Sequence, residues 1–217
     1  MKKVVLLDFD STVTIRDTTR FLVIELIKLR PWRALGATWF FVLMVFSSDR
    51  YVVQNNKNKA IGYLLSGLTD SDMSEALLSF SNIVNKFFRP ILIQKIKEWN
   101  KSEVLILIVT ASPSFAIDKC VLDLPVFVVG TSFHKVSDRY SGQLKSPNCY
   151  GEEKVRCIKN WVKKRGFTAN YIEAWSDHFS DYPMLKMADK RYWIGGEKLR
   201  KLVIDHDSEA NFVNVEK

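Results

Sequence analysis

KKVVLLDFDSTVT, residues 2–14, is an aliphatic run that ends abruptly in two aspartates, Asp8 and Asp10. Four consecutive valine and leucine residues predict a short strand buried on both faces, as in parallel sheets. Because strand side chains repeat with a period of two, we expect both aspartates to leave the strand end on the same side. Ligands of open α/β sheets bind at that end, and two close like charges favour a cation or a reacting group between them. An ordinary polar turn is the alternative.

The composition is that of an ordinary globular protein whose surface attracts anions. The chain has 217 residues, enough for one domain plus an insertion, and a formal net charge of +8. Such a charge favours phosphates, nucleic acid or an anionic bilayer as partners. The basic residues are dispersed and no zinc-finger or RNA-binding aromatic motif occurs, so we expect no nucleic-acid partner.

Cysteine and histidine usage indicates a cytoplasmic protein without a histidine metal cluster. Three cysteines occur without a C-x-x-C pair, which is typical of reduced thiols, and the three histidines are scattered. Lys2 and Lys3 are followed by only four apolar residues before Asp8, too few for a signal peptide. We therefore expect the protein to remain inside the cell.

Residues 20–90 predict a set of helices without strands. The apolar pattern places these helices at residues 21–29, 34–46, 51–65 and 71–88. The most apolar of them, at 34–46, has 13 residues and is about 20 Å long as a helix, shorter than the roughly 30 Å hydrocarbon core of a bilayer. We expect a buried or interfacial helix there.

The second half of the chain alternates between strand and helix patterns. Strands are predicted at residues 104–109, 126–129, 171–175 and 191–194, and a hairpin at 132–144. Helices are predicted at residues 91–100, from Ser112-Pro113 with Ser112 as the cap, at 151–165 and at 180–188. This alternation predicts an α/β fold with a parallel sheet and right-handed crossovers, whereas residues 205–217 show no clear pattern.

Two further residues are suited to binding an anion. Thr110 ends a buried strand just before a helix, whose free N–H groups and dipole favour a phosphoryl group. Lys154 lies in the first turn of its helix, where the macrodipole disfavours a cation. A lysine that reaches from this turn toward bound phosphate explains the position; a solvated lysine that offsets Glu152 and Glu153 is the alternative.

A second pair of acids follows the strand predicted at residues 171–175. Asp177 comes at the strand end and Asp181 early in the next helix. Carboxylate oxygens suit Mg²⁺, which typically takes one or two carboxylates together with waters and phosphate oxygens. Asp181 could instead be a first-turn acid that the helix dipole favours.

The four motifs, taken in order, resemble the haloacid dehalogenase superfamily of phosphatases. That pattern is a strand-end D-x-D, a Thr or Ser after a second strand, a helix-borne Lys and a loop with paired Asp residues. The corresponding stretches are DFDST at 8–12, IVTAS at 108–112, GEEK at 151–154 and SDHFSD at 176–181. DFDST and the helical insertion resemble the phosphoserine-phosphatase-like branch in particular.

The resemblance implies a Rossmann-like core at residues 1–19 and 91–217 with a helical cap inserted at 20–90. It also implies Mg²⁺-dependent hydrolysis of a phosphomonoester through an aspartyl-phosphate. The implied catalytic residues are Asp8 as nucleophile, Asp10 as acid and base, and Thr110 and Lys154 as phosphate ligands. The implied metal-site residues are Asp8, Asp10 through its carbonyl, Asp177 and, by orienting the metal's ligands, Asp181. Further phosphate or substrate contacts are expected from Ser11, Ala111, Ser112, Arg16 and Asp17.

A closer resemblance is to the bacterial phosphatidylglycerophosphatase C family. It rests on RDT at 16–18, RPWRAL with the apolar segment at 30–46, IVTASP at 108–113, GEEKV at 151–155 and SDHFSDYPML at 176–185. This resemblance implies a lipid phosphate as substrate and a role in phospholipid metabolism. A soluble small-metabolite phosphatase, a phosphotransferase and a catalytically silent binding protein of the same fold remain alternatives.

The apolar segment also raises the possibility of contact with an anionic membrane. Large apolar side chains stand beside three cations, Lys28, Arg30 and Arg33. The apolar residues in question are Trp32, Trp39, Phe40, Phe41, Met44 and Phe46. This combination is typical of a segment that lies in the bilayer surface at the inner face of the membrane, although the same residues could form the core of the cap.

Overall fold

A computed structural model describes residues 2–166 and 168–213 as an α/β fold built on a parallel sheet. The eight strands are β1 Lys2–Leu7, β2 Leu105–Pro113, β3 Phe127–Thr131, β4 Phe133–Val136, β5 Arg139–Leu144, β6 Ala169–Ser176, β7 Lys190–Ile194 and β8 Ala210–Val213. Six of them form the main sheet in the order β3-β2-β1-β6-β7-β8, and every pair is parallel. The predicted fold class is confirmed.

Nine α-helices are described in the same residues. They are α1 Thr19–Leu29, α2 Ala34–Val45, α3 Arg50–Leu65, α4 Ser74–Asn85, α5 Pro90–Lys101, α6 Ser114–Cys120, α7 Glu152–Arg165, α8 Tyr182–Leu185 and α9 Glu197–Ile204. Short helical turns add Phe9–Val13, Pro31–Arg33 and Phe179–Asp181.

The central strand is β1, whose aliphatic residues are buried on both faces as the sequence predicts. Residues Val4 to Leu7 pair with β2 on one side and β6 on the other, and at their upper end Leu7 is level with Ile108 and Trp175. The carboxyl ends of β1, β2 and β6 therefore meet at the middle of one sheet edge. In an open α/β sheet this edge is where ligands bind.

The segment between β1 and β2 is helical, and its helices pack in two groups. Helices α2 and α3 pack against each other, and α3 also contacts β5 of the β4–β5 hairpin. Helices α1 and α4 pack together, and α4 contacts α6 beside the sheet. The division into a core at 1–19 and 91–217 and a cap at 20–90 stays a prediction, although the helical character of the insertion matches it.

Arg30 and Arg33 are used within the protein. Both guanidinium groups donate to carbonyls at the C-terminal end of α3: Arg30 to Ser66 O at 2.8 Å, and Arg33 to Tyr63 O at 2.6 Å and Ser66 O at 2.9 Å. The last carbonyls of a helix lack partners inside the helix, so these cations stabilise that end.

Four predicted elements differ in detail. Ser112 is not a helix cap, because β2 continues to Pro113 and α6 begins at Ser114. The predicted helix 71–88 is shortened to α4, and in the turn before it Thr69 and Asp72 exchange capping hydrogen bonds. The predicted helix 180–188 becomes a 3-10 turn followed by α8, with Pro183 in its first turn. The region from residue 197 forms α9 and β8, and residues 214–217 lie outside the described range.

Helix α2 exposes much of its apolar surface. Leu35 and Phe46, the residue after the helix, are each 85% exposed, and Trp32 just before it is 70% exposed. Among the residues of α2, Ala37 alone is fully buried. Of the helices in the described ranges, none has both the length and the apolarity needed to cross a membrane.

Candidate active site

The chain leaves the sheet immediately after Asp8, so the two aspartates are not extended along one strand. Phe9–Val13 forms a tight helical turn, interrupted at Asp10 and at Ser11, whose φ of 61° lies in the left-handed region. The strand period therefore does not determine the directions of the Asp8 and Asp10 side chains, and the explanation that we expected is wrong. Both side chains nevertheless line one cavity.

Arg89 holds this turn in place. Its Nε donates to Thr12 O at 3.1 Å and its Nη2 to Ser11 O at 3.0 Å, while its backbone N–H donates to Val13 O at 2.8 Å. A serine in the left-handed region is strained, and strain of this kind persists when surrounding contacts determine the backbone. The buried arginine at the start of α5 supplies such contacts.

Asp8 is joined to Asp181 through a buried lysine. Lys154 Nζ lies 2.6 Å from Asp8 Oδ1 and 2.7 Å from Asp181 Oδ2, which also accepts from Ser176 Oγ at 2.7 Å. Burial is the largest cause that raises the pKa of Asp8 well above its ordinary value; Lys154 opposes it, and Asp181 and Asp177 add to it. The site thus holds more negative charge than its one buried lysine balances.

Lys154 reaches this position from the first turn of α7. The helix begins after Gly151, whose φ is 58°, and the Lys154 side chain is 2% exposed. Burial lowers the pKa of the ammonium, but the charges of Asp181 and Asp8 outweigh burial and raise it. The alternative of a solvated lysine that offsets Glu152 and Glu153 is therefore excluded by the structure, whereas contact with a phosphate stays a prediction.

Asp177 is held by a reciprocal contact with Thr12. Thr12 Oγ1 donates to Asp177 Oδ1 at 3.1 Å and accepts from the Asp177 backbone N–H at 3.0 Å. Burial, and secondly the charge of Asp181, raise the pKa of Asp177 to about 6. This contact fixes the β6 loop to the turn that follows β1.

Asp10 points toward the start of α1 and the end of β2. Its Oδ1 accepts from the Thr18 N–H at 2.7 Å and from Thr18 Oγ1 at 2.6 Å, and its Oδ2 accepts from Ser112 Oγ at 2.5 Å. Burial and then the nearby Asp17 raise the pKa of Asp10, against these hydrogen bonds. A carboxylate with a raised pKa and well-defined donors is suited to proton transfer.

The cavity at the sheet edge is small and largely polar. Its volume is about 190 Å³. From the sequence-predicted set it is lined by Asp8, Asp10, Ser11, Asp17, Thr110, Ala111, Lys154, Asp177 and Asp181. Thr110 is buried and its Oγ1 accepts from the Ser112 N–H at 3.0 Å.

Two predicted substrate contacts do not line this cavity. The Ser112 hydroxyl is used by Asp10 and lies 3.2 Å from Thr19 Oγ1, so it positions Asp10 rather than facing the cavity. Arg16 lines a neighbouring cavity of about 670 Å³ and lies over the Phe87 ring. Asp17 lines both cavities.

The acidic residues fit a hard cation that brings its own further ligands. In residues 2–166 and 168–213 no three His, Cys, Asp or Glu side chains converge as a complete metal cage. Mg²⁺ does not require one, since it usually keeps waters and binds one or two carboxylates with phosphate oxygens. Asp8 and Asp177 supply such oxygens, and burial and repulsion raise the pKa of both. The carboxylate oxygens of Asp10 are taken by Thr18 and Ser112, so only its backbone carbonyl fits the predicted ligand role.

Several residues of the site were not predicted. Thr12, Thr18, Ser176 and Arg89 position the predicted acids or the turn between them. The 4- and 3-residue spacing of Arg50, Gln54 and Lys57 places them on one face of α3, and they line the same cavity. That spacing is visible in the sequence, but only the structure shows which face meets the acids.

Comparison with solved structures finds the same fold in several proteins. A protein of unknown function from Bordetella pertussis Tohama I superimposes with a TM-score of 0.80 over 99% of both chains at 15% identity. A phospho-aspartyl intermediate analogue of phosphoserine phosphatase gives 0.59 over 97% of this chain and 92% of that one, at 15% identity. Cytosolic 5'-nucleotidase IIIB bound to cytidine gives 0.67 over 97% and 80%, at 12% identity.

The family assignment comes from the sequence. A search of curated protein sequences found no significant match. The haloacid dehalogenase-like hydrolase family matches residues 5–186, a range that contains every motif described above. The chain therefore belongs to the haloacid dehalogenase-like hydrolase family and is an enzyme of the hydrolase class.

Proposed function

We propose that the protein is a Mg²⁺-dependent phosphatase that hydrolyses a phosphomonoester through a phosphorylated Asp8. The observation that carries this proposal is the Asp8–Lys154–Asp181 contact at the end of β1, inside a cavity of about 190 Å³. A carboxylate oriented by a buried ammonium is a competent nucleophile, and a small polar cavity suits a phosphoryl group. The named phosphatases among the structures of similar fold agree with this chemistry.

In the proposed reaction an Asp8 oxygen attacks phosphorus and the bond to the leaving alcohol breaks. Lys154 holds the other oxygen of that carboxylate and attracts the phosphoryl oxygens. Thr110 and the N–H group of Ala111 are suited to hydrogen-bond the same oxygens, since both residues line the cavity, whereas the N–H of Ser11 donates to Arg16 O and Thr14 Oγ1. Water then cleaves the aspartyl-phosphate and releases inorganic phosphate with Asp8 restored.

Asp10 moves the proton in both halves. Protonated, it donates to the departing alkoxide; ionised, it accepts a proton from the attacking water. Thr18 and Ser112 keep the carboxylate in one place between these steps. The raised pKa brings its protonated form closer to working pH.

Asp8, Asp177 and the Asp10 carbonyl would hold Mg²⁺, and Asp181 would orient this set through Lys154 and Ser176. When bound, the cation offsets the repulsion between carboxylate and phosphate and stabilises the transferring charge.

The substrate that the surroundings favour is a lipid phosphate such as phosphatidylglycerophosphate. The larger neighbouring cavity is mainly apolar and lies between α1 and α2, with Val23, Ile24, Phe41 and Met44 in its wall. It shares Asp17 and Lys57 with the catalytic cavity, so an apolar leaving group could extend into it. The helices at 20–90 would then act as the cap that selects substrate.

We further propose that α2 contacts an anionic membrane from its cytoplasmic side. The large apolar residues that bracket α2 are exposed rather than packed as a cap core. Exposed apolar patches mark protein or membrane interaction sites, and the net charge of +8 favours an anionic surface.

Three alternative functions are compatible with the same fold. A soluble-metabolite phosphatase would keep every catalytic residue and differ in cap contacts. A phosphotransferase would pass the phosphoryl group of Asp8 to an alcohol instead of water. A silent binding protein would show no turnover.

The experiment that tests the proposal is a release assay for inorganic phosphate with and without Mg²⁺. The panel contains phosphatidylglycerophosphate, other lipid phosphates, sugar phosphates and amino-acid phosphates, and Asp8→Asn is the control. Mg²⁺-dependent release that Asp8→Asn abolishes is the expected result, with the lipid phosphates the fastest. Faster hydrolysis of soluble esters would instead support a soluble-metabolite phosphatase. The absence of turnover for every ester would contradict phosphatase activity.

A further inference from the structure

Helix α3 presents a polar stripe to the catalytic cavity that none of the four motifs explains. Arg50, Gln54 and Lys57 recur at the spacing of one helix face and all three line the cavity. The stripe lines the cavity from α3, whereas Thr110 lines it from β2 and Lys154 from α7. Its residues are therefore placed to meet the leaving group rather than the phosphoryl group that Lys154 and Thr110 approach.

Lys57, the last residue of this stripe along α3, is the most informative of the three. It is half-buried, and over the described 2–166 and 168–213 its ammonium donates no hydrogen bond and forms no ion pair. It lines both the catalytic cavity and the apolar cavity between α1 and α2. An unpaired cation at the junction of two cavities is suited to bind an anionic ligand that passes between them.

Gln54 gives a second, independent indication of a ligand. Its Oε1 is buried and has no hydrogen-bond partner. Most buried polar atoms in folded proteins are hydrogen-bonded, so an acceptor without a partner at a cavity wall indicates a ligand that brings a donor, such as a hydroxyl group. One turn of helix separates Gln54 from Lys57, and both can contact the same ligand.

We propose that Lys57 forms a second anion subsite for the leaving group of the substrate, beside which Gln54 Oε1 accepts a hydrogen bond from a hydroxyl of the same leaving group. This inference rests on the proposed function and narrows it. The preferred substrate is a phosphomonoester whose alcohol carries another negative group, a phosphodiester or a carboxylate, close to the scissile phosphate. Lys57 binds that group while the remainder of the leaving group extends into the apolar cavity.

A competing explanation is that Lys57 only offsets the charges of Asp10 and Asp17, which line the same cavity. That role would affect all phosphate esters alike, because the two aspartates do not depend on the leaving group. A subsite would affect only esters that carry the second anion. Substrate pairs that differ in this group therefore separate the two explanations.

The test uses three soluble ligands in Mg²⁺: glycerol phosphate, the same ester with a methyl phosphodiester on its other primary hydroxyl, and phosphoglycerate, which carries a carboxylate instead. We measure kcat/KM for all three esters and divide the value for each ester that carries the second anionic group by the value for glycerol phosphate. We expect wild type to favour at least one such ester roughly tenfold or more, as for a charge-assisted hydrogen bond, and Lys57→Gln to bring that ratio close to one. The ester that is favoured identifies the anion as phosphodiester or carboxylate.

Lys59→Gln is the matched control, since Lys59 is exposed on the same helix, makes the same charge change and lines neither cavity. It should keep the wild-type ratio, and Lys57→Arg should restore part of it. Equal loss for all three esters in Lys57→Gln, or no preference in wild type, would overturn the subsite.

A binding measurement separates this inference from the proposed function. Calorimetry with the Asp8→Asn protein should show that the preferred ester with the second anionic group binds more tightly than glycerol phosphate. The double variant Asp8→Asn/Lys57→Gln should bind the two esters equally. That result without turnover in wild type would contradict the phosphatase and support the subsite. Equal affinity in the Asp8→Asn protein, with phosphatase activity intact in wild type, would overturn the subsite alone.

Discussion

At the scale of single residues, the site is an excess of buried negative charge arranged around one lysine. Lys154 forms ion pairs with Asp8 and Asp181, whereas Asp177 is hydrogen-bonded by Thr12 and, within the parts of the chain described, feels the charge of Lys154 without a direct ion pair. The pKa values of Asp8 and Asp177 are both raised, first of all by burial. The metal-free protein is therefore less stable at neutral pH than it would be with these groups uncharged.

This imbalance predicts an unusual pH dependence of stability. Since the folded pKa of Asp177 is about 6 and its ordinary value is 3.8, the folded state binds more protons than the unfolded state between these values. Metal-free stability should thus fall as pH rises through this window. Asp177→Asn, which keeps an acceptor for Thr12, should raise metal-free stability near neutral pH by about 1–2 kcal/mol and flatten the slope.

Urea unfolding in EDTA at several pH values measures this effect, and Mg²⁺ gives the control. Added Mg²⁺ should stabilise wild type and have little effect on the variant, because a ligand stabilises the state that binds it. Lower metal-free stability of Asp177→Asn at neutral pH would contradict the charge excess.

Asp10 should differ from Asp8 in its dependence on the leaving group. If Asp10 is the acid, Asp10→Asn should slow phosphorylation by an alkyl phosphate by about 10²–10⁴-fold. The loss should be much smaller for p-nitrophenyl phosphate, whose leaving group hardly needs a proton. Single-turnover quenched-flow measures both rates, and equal losses would remove the proton-transfer role.

At the scale of elements, the strands and helices with strong patterns were predictable and the chain reversals between them were not. β1, β2 and α7 follow from aliphatic runs and from Gly166, which ends α7 in the left-handed conformation. The turn after Asp8 does not follow from the strand pattern, because its shape depends on Arg89, which is 78 residues from Ser11. The function of Ser112 was missed for the same reason, as its partner Asp10 is 102 residues away.

Arg89 should therefore be needed for the fold of this turn. Arg89→Leu removes two charge-assisted hydrogen bonds and leaves the Ser11 and Thr12 carbonyls without those donors, so we expect a loss of about 2–4 kcal/mol in unfolding free energy. Arg89→Lys should recover only part of the lost unfolding free energy, since lysine lacks the planar set of N–H donors that arginine presents. Lys86→Leu, an exposed cation three residues earlier, is the matched control for lost charge.

Chemical denaturation measures these differences. A loss below about 1 kcal/mol in Arg89→Leu would mean that the turn holds its shape without the arginine.

At the scale of the whole molecule, the parallel sheet and the order of the motifs were implied by the sequence, but the order of the strands and the exposure of α2 were not. Apolar helices are usually buried, and only the packing of α2 on α3 shows which of its residues remain outside. Arg30 and Arg33, expected at the membrane surface, also donate to carbonyls at the end of α3, so replacing them would disturb that helix end as well. The apolar residues are therefore the better probes of membrane contact.

Membrane binding should depend on these exposed residues. Wild type should sediment with anionic liposomes and be released by salt, and the double variant Leu35→Ser/Phe46→Ser should lose most binding, since each buried apolar side chain contributes about 2 kcal/mol. Leu122→Ser removes an equally large residue, 70% exposed and outside α2, and should bind as wild type does. If the wild-type protein does not sediment with anionic liposomes, the proposal of membrane contact is wrong.

The central claim concerns one bond, between Asp8 and a phosphoryl group. Wild type is mixed with Mg²⁺ and a hydrolysed ester, quenched in acid during turnover and reduced with borohydride, which marks a phosphorylated carboxylate for peptide mass spectrometry. We expect the mark on Asp8, absent without substrate and absent from Asp8→Asn. Turnover with the mark on another residue, or with no mark under conditions where the intermediate accumulates, would contradict it.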